Sequence, residues 1–101
     1  MTIEWTEQGK RGWREVAAYV KREFGQQGLL LFKQRTKDNE KFIANYPEGC
    51  EVVWTDPEKG IAYRWCVVYK RSKMLYFVQG DKIFIATDFA VKLPTLLTLC
   101  E

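Results

Sequence analysis

The stretch IEWTEQGKRGWREVAAYVKREFG (residues 3–25) decides the reading of the fold. It runs a short β-type segment, Thr2 to Trp5, straight into a helix, because Thr6 followed by Glu7 reads as an N-cap with an acidic first turn. Trp13, Val16, Ala17, Val20 and Phe24 then recur at helical spacing as one continuous apolar stripe, and Gly25 stands where a C′ glycine belongs. Gly9 and Gly12 fall in the first turns, where each costs about 1 kcal/mol relative to Ala, so the helix is expected to start late or fray. Lys10, Arg11, Arg14, Lys21 and Arg22 lie opposite the stripe. Interspersed with Glu15 and Glu23, they read as a solvated face and not as a single-sign field.

Beyond Gly25 a second helix is expected from about Gln26 to Tyr46: Leu29, Leu30, Leu31 and Phe32 open it, Phe42 and Ile43 close it, and Pro47 with Gly49 ends it. Its basic residues Lys33, Arg35, Lys37 and Lys41 are again mixed with Asp38 and Glu40. The run KQRTKDNEK sets Thr36 and Asn39 where the apolar stripe should continue, which weakens the helical pattern there. A break of one glycine predicts that the two helices fold back as an antiparallel pair.

After Gly49 the texture changes to strands. Cys50 to Trp54 and Ile61 to Tyr69 flank the turn DPEKG (56–60); Met74 to Val78 and Ile83 to Thr87 flank Gln79-Gly80-Asp81-Lys82. Strands joined by short turns imply an antiparallel sheet. The expected fold is therefore α+β, a helical hairpin packed on one face of an antiparallel β-sheet in the order β-α-α-β-β-β(-β). The last, optional element is the apolar tail from Val91 to Glu101.

Alternation along the third strand puts Tyr63 and Trp65 on one face and Arg64 and Cys66 on the other. Ordinary burial preference places Tyr63, Trp65 and Trp54 against the helices; on the uncovered side they would form an apolar patch that invites a partner. Tyr69-Lys70-Arg71-Ser72-Lys73 collects three cations in a turn near Tyr69 and Tyr76, a mixture suited to phosphate contact and stacking, or a plain polar hairpin tip.

Composition narrows the chemistry. The 101 residues fit one domain, 1–101, and 47% hydrophobic with 15% aromatic content excludes a disordered chain. Sixteen Lys and Arg against 13 Asp and Glu leave +3, too little by itself to imply nucleic-acid binding. Histidine is absent, which removes the commonest general base and the usual metal ligand, and no cofactor is implied. Cys50, Cys66 and Cys100 are odd in number and lack CxxC spacing, so they read as small buried hydrophobes in a reducing, cytoplasmic setting. No run approaches a membrane span or a signal peptide, so the chain reads as soluble.

The opening stretch, the segment from Phe32 to Tyr46-Pro47-Glu48-Gly49, Tyr63-Arg64 followed by Val67-Val68, and MLYFVQGDKIFIATDF (74–89) together resemble the RelE/ParE superfamily of type II toxin–antitoxin toxins, also called plasmid stabilisation proteins. The resemblance covers nearly the whole chain and lies in order and spacing. It implies a growth-inhibiting toxin neutralised by a cognate antitoxin, whose C-terminal segment lies as a helix in a groove or a strand on the sheet edge. Open edges and the apolar Leu96, Leu97 and Leu99 also suit a homodimer. For a RelE-like ribosome-dependent ribonuclease the catalytic candidates are Arg64, Lys70, Lys73 and Tyr76; with Tyr69, Arg71 and Lys92 they make up the expected binding set. The chain departs from the pattern that serves the nucleases. Val91 and Phe89 stand where family members commonly carry the Arg and Asp of Asp-x-Arg-x-x-Pro, Phe77 follows Tyr76 where an arginine is frequent, and no later tyrosine exists. The expectation is thus a ParE-like binding protein aimed at a target such as DNA gyrase, with the ribonuclease, or a non-toxic interaction module, as alternatives.

Overall fold

Thr6 ties the start of the helix to the sheet. Its Oγ1 accepts from the Gly9 N–H at 2.9 Å and donates to the Ile85 carbonyl at 2.8 Å, so one side chain both caps the helix and fixes it over a strand. The computed structural model describes residues 1–90; the expected tail element from Val91 on, including Lys92 and Cys100, lies outside the described residues. The elements are β1 (Thr2–Trp5), α1 (Glu7–Asn45), β2 (Glu51–Thr55), β3 (Ala62–Val67), β4 (Ser72–Gln79) and β5 (Lys82–Ala90).

The helix does not start late. Gly9 and Gly12 are buried against β5: a Cβ on Gly12 would stand 2.5 Å from the Asp88 carbonyl oxygen and 2.8 Å from its nitrogen, and one on Gly9 would collide with the Ile85 carbonyl. The glycines that weaken the helix are the ones that let its backbone lie on the strand.

Where two helices were expected there is one helical element of 39 residues, and only Gly25 inside it leaves helical geometry (φ 75°, ψ −171°). At about 1.5 Å per residue a straight helix would hold Trp13 and Phe32 roughly 28 Å apart. Their rings stack at 5.3 Å, so the element bends back at that glycine, whose positive φ an L side chain resists. The polar residues that interrupted the apolar stripe hold the bend. The Trp13 indole N–H donates to Thr36 Oγ1 at 3.0 Å, Thr36 donates to the Phe32 carbonyl, and the Trp5 indole N–H donates to Glu40 at 2.9 Å. The Asn39 side-chain amide donates to the Val67 carbonyl of the sheet.

The sheet is mixed, correcting the antiparallel expectation: its order is β1-β5-β4-β3-β2, and β1 runs parallel to β5 from Thr2↔Lys82 to Trp5↔Ile85. The chain leaves β1 through α1 and returns by three antiparallel steps, β2 to β3 to β4 to β5, so the last strand points as the first one does. The core is the covered face: Val16, Val20, Phe32 and Ile43 from α1 meet Cys66, Met74, Tyr76, Ile83 and Ile85 from the strands.

A second correction concerns the cysteines. Cys50 and Cys66 are joined by a disulfide, with Cα atoms 5.8 Å apart. Glu51 pairs with Trp65 across β2 and β3, so the residues one step outward face each other, and 16 positions of sequence separation vanish in the hairpin.

Asp88 is 3% exposed, and neither of its carboxylate oxygens has a hydrogen-bond partner. Burial pushes its carboxyl up to about 7; the Phe89 N–H is near enough to oppose this weakly but does not form a hydrogen bond. The folded protein therefore keeps this proton between about pH 4 and 7, where the unfolded chain releases it, and stability falls as pH rises through that window. Above it the loss levels off at no more than about 4 kcal/mol. Urea midpoints measured from pH 5 to 8 should fall for the native sequence and stay flatter for Asp88→Asn. Gly12→Ala, which forces a methyl into backbone, should lower stability by about 1–3 kcal/mol, read as a lower urea midpoint at unchanged slope.

Candidate binding surface

The side of the sheet turned away from α1 carries the aromatic residues that burial preference assigned to the core. The cross-strand pairs Tyr63↔Phe77 and Phe77↔Phe84, with Trp54↔Tyr63 beyond a bulge, set four rings in a row across β2, β3, β4 and β5. Their centroids are 5.5, 5.1 and 5.2 Å apart, in the range where cross-strand rings attract. A second row sets Trp65 6.3 Å from Phe89, with Lys73 Nζ 3.6 Å above the Trp65 ring. None of these side chains belongs to the core or packs on it. The rings on the inner strands are half-buried by one another, whereas Trp54, on the edge strand, is 56% exposed. Charge on this face is sparse: Glu4 and Lys82 pair at 3.6 Å, and Glu51 sits beside the Trp65 indole.

The residues expected to act together on a phosphate are divided between two faces. Arg64 and Tyr76 are cross-strand neighbours on the covered side. There Arg64 donates to the carbonyls of Glu48 at 3.1 Å and Cys50 at 2.7 Å, and the Tyr76 hydroxyl donates to that of Pro47 at 2.8 Å. Both are occupied in holding the segment between α1 and β2. Burial raises the Tyr76 pKa, with the Arg64 charge and a nearby backbone group opposing, so its phenol stays protonated at neutral pH. Lys73 lies on the opposite face over Trp65.

Lys70, held at φ 56°, and Arg71 occupy the β3–β4 turn, which Ser72 closes by donating to the Tyr69 carbonyl and accepting its N–H. Lys70 Nζ lies 5.2 Å from the Phe24 ring and 5.6 Å from that of the buried Tyr69. Tyr19, Phe24, Tyr69 and Lys70 thus form a small cluster where the bend of α1 meets this turn. Of the three cations of the expected patch, Lys70 and Arg71 line one cavity with Tyr19 and Phe24, whereas Lys73 lies on the other face over Trp65. Lys92 lies outside the described residues. Burial preference places Trp54, Tyr63 and Trp65 on the wrong side of the sheet; the signal for the right one is the alternation that puts Tyr63 and Trp65 opposite Cys66. Among the described residues no helix is long and apolar enough to cross a membrane, and no cluster of His, Cys, Asp and Glu is arranged to hold a metal.

The fold is similar to that of a chain from the chromosomal ParDE TA system of P. aeruginosa, with a TM-score of 0.68, 16% sequence identity, and coverage of 91% of this chain and 97% of that one. No family model and no curated protein matches the sequence.

Removing the hydroxyl that holds Pro47 should cost about 1 kcal/mol. Tyr76→Phe is accordingly expected to lower the urea midpoint and to speed amide exchange at residues 46–50, with β5 unaffected.

Proposed function

We propose that the chain is the toxin of a type II toxin–antitoxin pair. It arrests growth by binding a cellular target through the aromatic face of its sheet, and a cognate antitoxin holds it inactive in the cytoplasm. The observation that carries this reading is the likeness of fold, over nearly the full length of both chains, to a chain of a ParDE TA system. The uncovered ladder of Trp54, Tyr63, Phe77 and Phe84 supports action by docking, since an apolar patch of this kind is what a partner buries. DNA gyrase is the target that the resemblance to ParE-like toxins implies. The ribonuclease alternative has less support: Tyr76 is fully buried with its hydroxyl on Pro47, and Lys73 is on the other face.

The test is induction of the chain alone in a bacterium while growth, plasmid supercoiling and transcript integrity are followed. Growth should stop and supercoiling should change with transcripts intact, and co-expression of a small acidic neighbouring reading frame should restore growth. Trp54→Ala with Lys73→Ala should abolish arrest while shifting the urea midpoint little, because one side chain is exposed and the other only caps a ring. Codon-specific cleavage of transcripts would instead establish the nuclease.

A further inference from the structure

The Cys50–Cys66 bond lies at the base of the element with the fewest other attachments. Every residue of β2 is exposed, none belongs to the core, and its ladder to β3 is interrupted by a bulge between Val52 and Trp54. The disulfide closes the chain around all of β2 and the β2–β3 turn. Arg64 and Tyr76 grip the chain at Pro47, Glu48 and Cys50, ahead of the strand and not along it. The two cysteines are also unequal: Cys66 is 7% exposed, whereas Cys50 is half-buried at the rim.

We infer that Cys50–Cys66 is a thiol-exchange site whose oxidation state sets the order of β2. The thiolate of a low-molecular-mass monothiol attacks Cys50 Sγ, the sulfur of the less buried cysteine; the S–S bond breaks and Cys66 leaves as a thiolate that takes up a proton. A second monothiol attacks the mixed disulfide on Cys50, freeing that thiol and releasing the oxidised monothiol dimer. Two electrons pass from the two small thiols to the protein, and the dimer drives the reverse reaction. In a reducing compartment such a bond is commonly transient or sensory. With it open, β2 keeps its bulged ladder, the Trp54–Tyr63 ring contact and the Trp65–Glu51 hydrogen bond, all of them to the single neighbouring strand β3. Its fraying removes Trp54 from the end of the aromatic row and turns β3, with Tyr63 and Trp65, into the sheet edge. The exchange chemistry stands whether or not that face binds a toxin target.

The test uses the full chain carrying Cys100→Ser, equilibrated in reduced and oxidised glutathione at several ratios, alkylated for mass analysis, and followed in parallel by hydrogen exchange. We expect both thiols to appear as a pair in excess reduced glutathione and the intermediate adduct to map to Cys50. Amide exchange over residues 51–55 should rise at least tenfold on reduction, with β4 and β5 unchanged. Adding Cys50→Ser and Cys66→Ser to that background should reproduce the reduced pattern without any thiol. Three results would each overturn the inference: a bond that survives excess glutathione, equal exchange over 51–55 in both states, or a rise that spreads through β4 and β5.

Discussion

The contact on which the rest of the structure depends is backbone against backbone, Gly9 and Gly12 of α1 on Ile85 and Asp88 of β5. Any side chain at those positions would lift the helix off the sheet, and Thr6, bonded to the Ile85 carbonyl, fixes where the approach begins. The two glycines cost the helix on the order of 2 kcal/mol in propensity. Burial of Val16, Val20 and Phe32 on Ile83 and Ile85 offsets that, at roughly 1.5–3 kcal/mol for each large apolar side chain. Because β5 lies between β1 and β4, a helix seated there also decides which face of the sheet is closed.

Among the described residues, closing one face leaves the other without a facing layer. Its side chains must then shelter one another, which is what the rings from Trp54 to Phe84 do. The covered side meets the converse problem toward β3. There the segment after α1 serves as the cover, held by Arg64 and the Tyr76 hydroxyl on three backbone carbonyls. A guanidinium and a phenol under a cover of backbone are suited to satisfying carbonyls that would otherwise be buried unpaired. Residue types that suggested phosphate chemistry thus have structural work where they stand.

What the sequence disclosed followed from periodicity. The stripe from Trp13 to Phe24, the cap at Thr6, the break at Gly25 and the strands on either side of DPEKG are local patterns, and each stands close to where it was read. What it withheld was set by pairing. Nothing local shows that β1 joins β5 in parallel, or that Thr36 and Asn39 look outward from their own stripe to Trp13 and Val67. The disulfide was within reach: Cys50 and Cys66 flank the DPEKG turn at equal distance from its centre, and a hairpin register written through that turn brings them opposite each other. Reading cysteines by count and CxxC spacing discards that geometry. The aromatic face was misassigned for a related reason, since burial preference ranks residue types and says nothing about which of two faces a single helical layer can cover.

The distribution of charge sets the character of any partner on that face. The basic residues of α1, Lys10, Arg11, Arg14, Lys21 and Arg22 among them, are exposed on the side of the molecule opposite the ladder. Around the rings Lys73 is spent on Trp65, and Lys82 and Glu4 neutralise each other. Little field is left there to draw in a polyanion from a distance, and beyond about 10 Å physiological salt screens what remains. A partner seated on the ladder would therefore be held by the fit of apolar and aromatic surface at contact range, with the exposed indole of Trp54 at its rim. Among the described residues, α1 contributes the wet and charged exterior, and the aromatic face is the one it leaves uncovered.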